Sequence, residues 1–343
     1  MKFTTILLAT AAVTGALNCA VVLPAAAQEI TGAGATFPAP VYTKWGEAAK
    51  SAVGVTLNYQ AIGSGGGQNQ IINRTVDFGA SDAPVDAEKL ATNKLVQFPM
   101  VMGAVVPIVN LPGIEADQLK LTGEIIAEIY QGKITKWNDA KIEAVNAGLK
   151  LPSIAIAPVY RADASGTSYV FTSYLSSASE SWKSGVGANT SVKWPVGNGA
   201  KGNDGVAGSV KQVRGGIGYV ENAYASQNHL ATTELKNKDG QFVKPTMASF
   251  QAAASGADWK GAKDYAVSLI DQPGATSWPI VSATFLLIPT DPKDPARTQT
   301  VLKWANWDYE HGDAIATQLE YVPLPAAVKD LVRATWKQQL NYK

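Results

Sequence analysis

The sequence has 343 residues, a length that accommodates two lobes or one large α/β unit. Its 46% apolar and 17% charged residues, with 31 Gly and 18 Pro, exclude a disordered or collagen-like chain. The formal net charge is +1 and no run of Lys or Arg occurs, so the chain lacks the basic field of a nucleic-acid binder, and any anion must be held by local geometry.

The chain begins with Met1-Lys2, an apolar run from Ile6 to Leu23, and the small residues Ala25-Ala26-Ala27 before Gln28. This is the pattern of a cleaved signal peptide over 1–27, and it predicts export to the periplasm. A retained membrane anchor is disfavoured by Thr10, Thr14, Gly15 and Asn18 within the run. Cys19, the only cysteine, sits beside the bulky Asn18, which argues against lipid attachment. The mature chain therefore has no disulfide and no thiolate metal site, and without Lys2 it is formally neutral.

After the leader, short apolar runs alternate with amphipathic stretches. Val55–Tyr59 reads as a strand, Gln70–Ile72 as part of a helix, Phe78–Ala80 as a short strand, and Val101–Asn110 as a longer apolar run ended by Pro112-Gly113. Further on, Ile154–Tyr160, Ile217–Val220 and Ala283–Ile288 read as strands and Thr167–Leu175 as a helix, giving an α/β rhythm. Residues 185–205 and 237–245 read as long surface loops, and 298–343 as a pair of helices.

Four clusters of Gly and hydroxyl residues each read as the start of a helix: 32–38, 62–67, 79–84 and 161–168. A helix N-terminus leaves backbone N–H groups unpaired and carries positive partial charge, so it can receive an oxyanion. Taken singly, each cluster is equally a plain helix cap. The fourth cluster also holds Arg161, one of only five arginines, whose planar fork of donors suits a tetrahedral anion. Arg161 has an alternative use as a surface ion pair with Asp163.

Asp82 runs against this pattern of donors. A carboxylate repels a fully ionised ligand but accepts a hydrogen bond from one that retains a proton, so it would admit phosphate and reject sulfate. Its other reading is a helix cap ahead of Pro84.

At these clusters the sequence resembles the periplasmic phosphate-binding proteins of the high-affinity phosphate ABC importer. The resemblance runs along nearly the whole mature chain and includes GAGATFPAPVY at 32–42, VDFGASDAPV at 76–85, RADASGTSYVFTSYL at 161–175, KGNDGVAG at 201–208 and GGIGYVE at 215–221. It implies a two-lobe α/β periplasmic binding protein fold of type II, with the ligand in the interlobe cleft and two crossing hinge strands. Lobe I would comprise 28–103 and 281–343, and lobe II 104–280. It also implies that Ala35, Thr36 and Phe37 supply backbone and hydroxyl donors and that Ser64 donates from the second cluster. Asp82 would accept the phosphate proton, and Arg161 would donate with Asp163 as its ion-pair partner. Ser165, Gly166 and Thr167 would cradle the anion. Two positions depart from the family, which often has Ser at Gly65 and Gly at Ala164.

The expected function is capture of inorganic phosphate in the periplasm and its delivery to the permease and ATPase subunits of an ABC importer, by a monomer with no metal, cofactor or nucleic-acid partner. Three rivals remain. A secreted phosphatase is poorly served by a mature chain whose only histidines, His229 and His311, fall outside the clusters. A binder of another oxyanion is opposed by Asp82. An adhesive surface would need the nine tryptophans exposed, whereas tryptophans are more often buried.

Overall fold

The computed structural model describes residues 28–342. The signal-peptide reading and Cys19 fall outside the described residues. The strands are β1 Gln28–Gly34, β2 Val55–Ala61, β3 Phe78–Ser81, β4 Leu95–Val109, β5 Lys120–Leu121, β6 Ala157–Arg161, β7 Asn198–Ala200, β8 Gly216–Glu221, β9 Ala231–Thr232, β10 Glu234–Lys236, β11 Phe242–Val243 and β12 Val281–Pro289. Nine of them form one continuous sheet in the order β2-β1-β3-β12-β4-β8-β6-β7, with β9 also on β4, and β11-β10-β5 form a second.

The continuous sheet is built on β4. All 15 of its residues are buried, as expected of a strand covered on both faces. Its first part, Leu95–Ala104, pairs antiparallel with β12, and its last part, Val105–Val109, pairs antiparallel with β8. One strand thus serves both lobes of this α/β fold. Around it β1, β2 and β3 run parallel on one side, and β6, β7 and β8 run parallel on the other.

A bulge interrupts the β4–β12 ladder between Thr284 and Phe285, opposite Met100 and beside Pro99. Proline has no N–H to give a central ladder, and a bulge accommodates it while re-aiming neighbouring side chains. Thr284 is one of those neighbours.

Aromatic packing holds each lobe. In the first, Tyr42 meets Tyr59 and Trp304 edge-on while Phe78 stacks on Trp304. In the second, Tyr219 stacks on Phe171 with ring centroids 4.0 Å apart. Trp45, Trp137, Trp182, Trp278, Trp304 and Trp336 are fully buried, which removes the aromatic surface that adhesion would require.

The structure revises several local expectations. Residues 185–205 are not all loop, because they contain β7 and the start of the helix Gly202–Gln212. Residues 237–245 contain β11, which pairs with β10. The C-terminal part has three helices, Pro295–His311, Asp313–Gln318 and Ala326–Gln339, since the segment before Pro325 winds one short turn more. The strand expected at Ile154 begins at Ala157, and Ala155 makes only an isolated bridge to Lys136.

Candidate functional site

Three of the four clusters do open helices. Residues 32–38 lead into the helix Ala39–Val53, Ser64 begins the helix Ser64–Ile72, and Ser165 caps the helix Gly166–Ala178 by accepting from the Ser168 N–H at 3.0 Å. The third differs. β3 ends at Ser81, and the next helix, Ala87–Thr92, is capped by Asp86 through the Lys89 N–H. Asp82 is therefore not a helix cap, and its carboxyl is left for another use.

The sheet brings the expected residues together from both lobes, with Thr36, Ser64, Asp82, Arg161, Ser165 and Thr167 all buried. Ser64 Oγ accepts from the Asp82 N–H at 3.2 Å and from the Gly166 N–H at 3.1 Å, so one hydroxyl joins the two lobes. Nothing larger than glycine fits at 166, where a Cβ would lie 2.4 Å from Ser64 Oγ and 2.6 Å from Asp82 Oδ2. The Gly65 N–H donates across the cleft to the Ala164 carbonyl at 3.0 Å.

Arg161 ends β6. Its Nε donates to Asp163 Oδ1 at 2.8 Å, Nη2 donates to Asp163 Oδ2, and Nη1 reaches Thr167 Oγ1 at 3.3 Å. Asp163 Oδ1 also accepts from the Gly202 N–H at 3.1 Å. Burial pushes the Asp163 carboxyl up, but its bonds to Arg161 and Arg161's charge outweigh this and hold it below the usual carboxylate range. The Arg161–Asp163 pairing is thus a buried fork inside the cluster, not a surface pair. Tyr219 braces the segment at both ends, taking the Arg161 N–H at 3.1 Å and lying 2.6 Å from Ser168 Oγ.

Asp82 stands among these donors with its two oxygens in different states. Oδ1 accepts from Thr284 Oγ1 at 2.9 Å, whereas Oδ2 is buried without any partner among the described residues. Burial pushes its pKa up to about 7, against the opposing pull of Thr284, Arg161 and Ser64. An unpaired, buried carboxylate oxygen is costly unless something donates to it.

The backbone adds further donors. Among the described residues the N–H groups of Thr36, Phe37, Ser64 and Thr167 bond no protein acceptor, as befits first-turn helix positions. Ala35 differs from expectation: its N–H is already bonded to the Ala80 carbonyl at 3.0 Å. Because β1 still pairs with β3 at that point, the sheet consumes this donor. The Ala35 carbonyl in turn accepts from Tyr59 Oη at 2.6 Å.

Several site residues escape sequence reasoning. Thr284 comes from β12, more than 200 positions from Asp82. Tyr224 Oη donates to the Thr36 carbonyl at 2.6 Å and steadies the peptide that carries the Phe37 N–H. Asn203, fully buried at the second residue of its helix, donates through Nδ2 to Thr36 Oγ1 at 2.7 Å. The motif at 201–208 was the only signal for it. No group of acidic, His or Cys side chains that could hold a metal ion occurs among the described residues, and no helix there is long and apolar enough to cross a membrane.

Chemically, the arrangement is a buried cluster of N–H and O–H donors with one guanidinium and the unpaired oxygen of Asp82. Comparisons with known proteins follow the same line. A family model described as a PBP superfamily domain matches residues 22–309. The phosphate-binding protein PstS of Pasteurella multocida is 50% identical over 315 residues, covering 92% of this chain and 92% of the relative. PstS of Haemophilus influenzae is 50% identical over 317 residues, covering 92% and 95%. Among solved structures, a phosphate-binding protein from Stenotrophomonas maltophilia shares the fold, with a TM-score of 0.68 at 22% identity over 90% of this chain and 93% of that one.

Proposed function

The chain belongs to the PBP superfamily and, within it, to the phosphate-binding proteins typified by PstS, and from that premise we propose that it binds inorganic phosphate with high affinity for an ABC phosphate importer. The observation that carries the reading is the unpaired carboxylate oxygen Asp82 Oδ2, buried beside the donors of Ser64, Thr284 and Gly166.

Three phosphate oxygens without hydrogen would take the N–H groups of Thr36, Phe37, Ser64 and Thr167, the Ser and Thr hydroxyls, and the Arg161 guanidinium. The phosphate O–H would donate to Asp82 Oδ2. Helix N-termini stabilise the charge without a basic field, in keeping with a neutral mature chain. Sulfate has no hydrogen to give and would meet Asp82 as like charge. The same shortage of candidate bases and metal ligands argues for binding without turnover.

In this reading Asp163 holds the guanidinium in place, Gly166 admits the anion, and Ser165 fixes the helix start. Ala35 lines the site without donating. Residues 28–103 with 281–343, and residues 104–280, would close on the ligand by flexing β4 and β12 where they cross between lobes. Closure expels water, and each donor then acts at lower dielectric. The mature protein would work in the periplasm and hand phosphate to the permease of an ATPase-driven importer.

Titration calorimetry of the purified mature protein tests this. Saturable phosphate binding at one site, with sulfate failing to compete at equal concentration, is expected. Tight sulfate binding, or none of phosphate, overturns it.

A further inference from the structure

The cluster contains one fully satisfied side chain that no expectation had placed there. Asn203 Nδ2 has two hydrogens and uses both, donating to Thr36 Oγ1 at 2.7 Å and to Thr167 Oγ1 at 3.2 Å. Its Oδ1 accepts from the Glu221 N–H at 2.9 Å, and because a backbone N–H only donates, this bond fixes which way the amide faces.

Proton counting at the two threonines gives the consequence. A hydroxyl has one hydrogen and two acceptor sites. At Thr36, Oγ1 accepts from Asn203 Nδ2 and also from the Asn203 backbone N–H at 3.3 Å. At Thr167, Oγ1 accepts from Asn203 Nδ2 and from Arg161 Nη1 at 3.3 Å. Both oxygens are filled with incoming hydrogens. Neither hydroxyl finds an acceptor among the described residues, so each hydrogen remains available to a ligand oxygen.

We propose that Asn203 is a positioning residue that makes the Thr36 and Thr167 hydroxyls obligate donors to the bound anion, an inference that rests on the phosphate-binding reading above. Asn203 itself does not touch the ligand. It closes off the alternative in which either threonine hydroxyl accepts from a ligand O–H, and so favours Asp82 Oδ2 as the acceptor of the phosphate hydrogen. Selection for a ligand with a single protonated edge thus arises from two sides: one acceptor is supplied, and two others are removed. Since Thr36 lies on the segment after β1 and Asn203 on a helix of the other lobe, the bond also forms only when the lobes are together.

The test is calorimetric titration with inorganic phosphate of wild type, Asn203→Ala, Thr36→Val, Thr167→Val and the two double variants, with the ligand-free thermal midpoint of each as a check on folding. Losing a well-aimed donor to a charged ligand is expected to weaken binding by about tenfold to a hundredfold in Asn203→Ala. The decisive readout is coupling: each Thr→Val change is expected to cost clearly less in the Asn203→Ala background than in wild type. A purely structural Asn203 would give additive losses, and additivity, or Asn203→Ala binding within about twofold of wild type, overturns the proposal. If Asn203→Ala unfolds, the isosteric Asn203→Asp carries the test, because its carboxylate accepts from both hydroxyls and adding Thr→Val to it is then expected to cost nothing. Undiminished Thr→Val losses in that background overturn the proposal. Phosphate binding by wild type with additive variants defeats Asn203's role alone, whereas a wild type that ignores phosphate defeats the underlying reading and this proposal together.

Discussion

Gly65 and Ala164 face each other across the cleft so closely that a Cβ built on Gly65 would lie 2.5 Å from the Ala164 Cβ. These are the two positions where the resemblance noted in the sequence implies Ser and Gly. The two fit each other, since the side chain that the resembled family often carries at 65 would occupy the space that the Ala164 methyl fills here. Ala164 is not among the residues with positive φ, so the methyl brings no backbone strain.

Restoring Ser at 65 alone is therefore expected to hold the lobes apart and weaken phosphate binding by about 1–3 kcal/mol, the usual cost of overpacking. Gly65→Ser with Ala164→Gly is expected to recover most of that loss. A binding isotherm for the two singles and the double measures the coupling; equal affinities in all four proteins would show that the contact has no energetic weight.

Asp82→Asn replaces the sole acceptor with a group that can donate. Phosphate is expected to weaken about tenfold to a hundredfold while sulfate, freed from like-charge repulsion, strengthens. With the wild-type carboxyl near pH 7, lowering the pH from 8 to 5.5 protonates Asp82 and is expected to erode the preference for phosphate, whereas the variant is expected to keep only the trend that comes from phosphate's own titration. Competition titrations at the two pH values measure both effects.

Acid stability follows the same group. Asp82 is pushed up to about 7, and Glu221 and Asp308 are also raised, in each case chiefly by burial. A group whose pKa is higher folded than unfolded binds more protons in the native state, so its contribution to stability is complete below about pH 4 and is lost as pH rises through the folded value. For Asp82 the window is about pH 4 to 7. The ligand-free protein is expected to lose stability across it, and Asp82→Asn to flatten the slope and raise the thermal midpoint at pH 8.

Arg161→Lys keeps the charge but loses the fork that engages Asp163 through two nitrogens and Thr167 through a third. An ammonium cannot reproduce that geometry. Phosphate affinity is expected to fall by about tenfold to a hundredfold. Calorimetry measures it, and a change within about twofold would remove Arg161 from the donor set.

Much of the architecture was legible because each signal is local. The strands around Val55, Phe78, Ile217 and Ala283 announce themselves by apolar runs, and Ser64 and Ser165 by standing where helices begin. The cap alternative for Asp82 fails because Ser, Asp and Pro before a helix look alike whether the helix starts two residues or five residues later. Ala35 looked like a donor because a sequence does not show where a parallel ladder stops consuming N–H groups. Thr284, and Asn203 apart from the motif at 201–208, escape the sequence as site members since their partners are set by sheet topology over distances of 202 and 167 residues.

The insertion of β12 between β3 and β4 has a consequence for how the molecule is made. β3 and β4 are near neighbours along the chain, yet each bonds to a strand that the ribosome delivers nearly 200 residues later. Until that late strand emerges, the nascent sheet carries an open slot and cannot set, so acquisition of the native state waits for the end of synthesis.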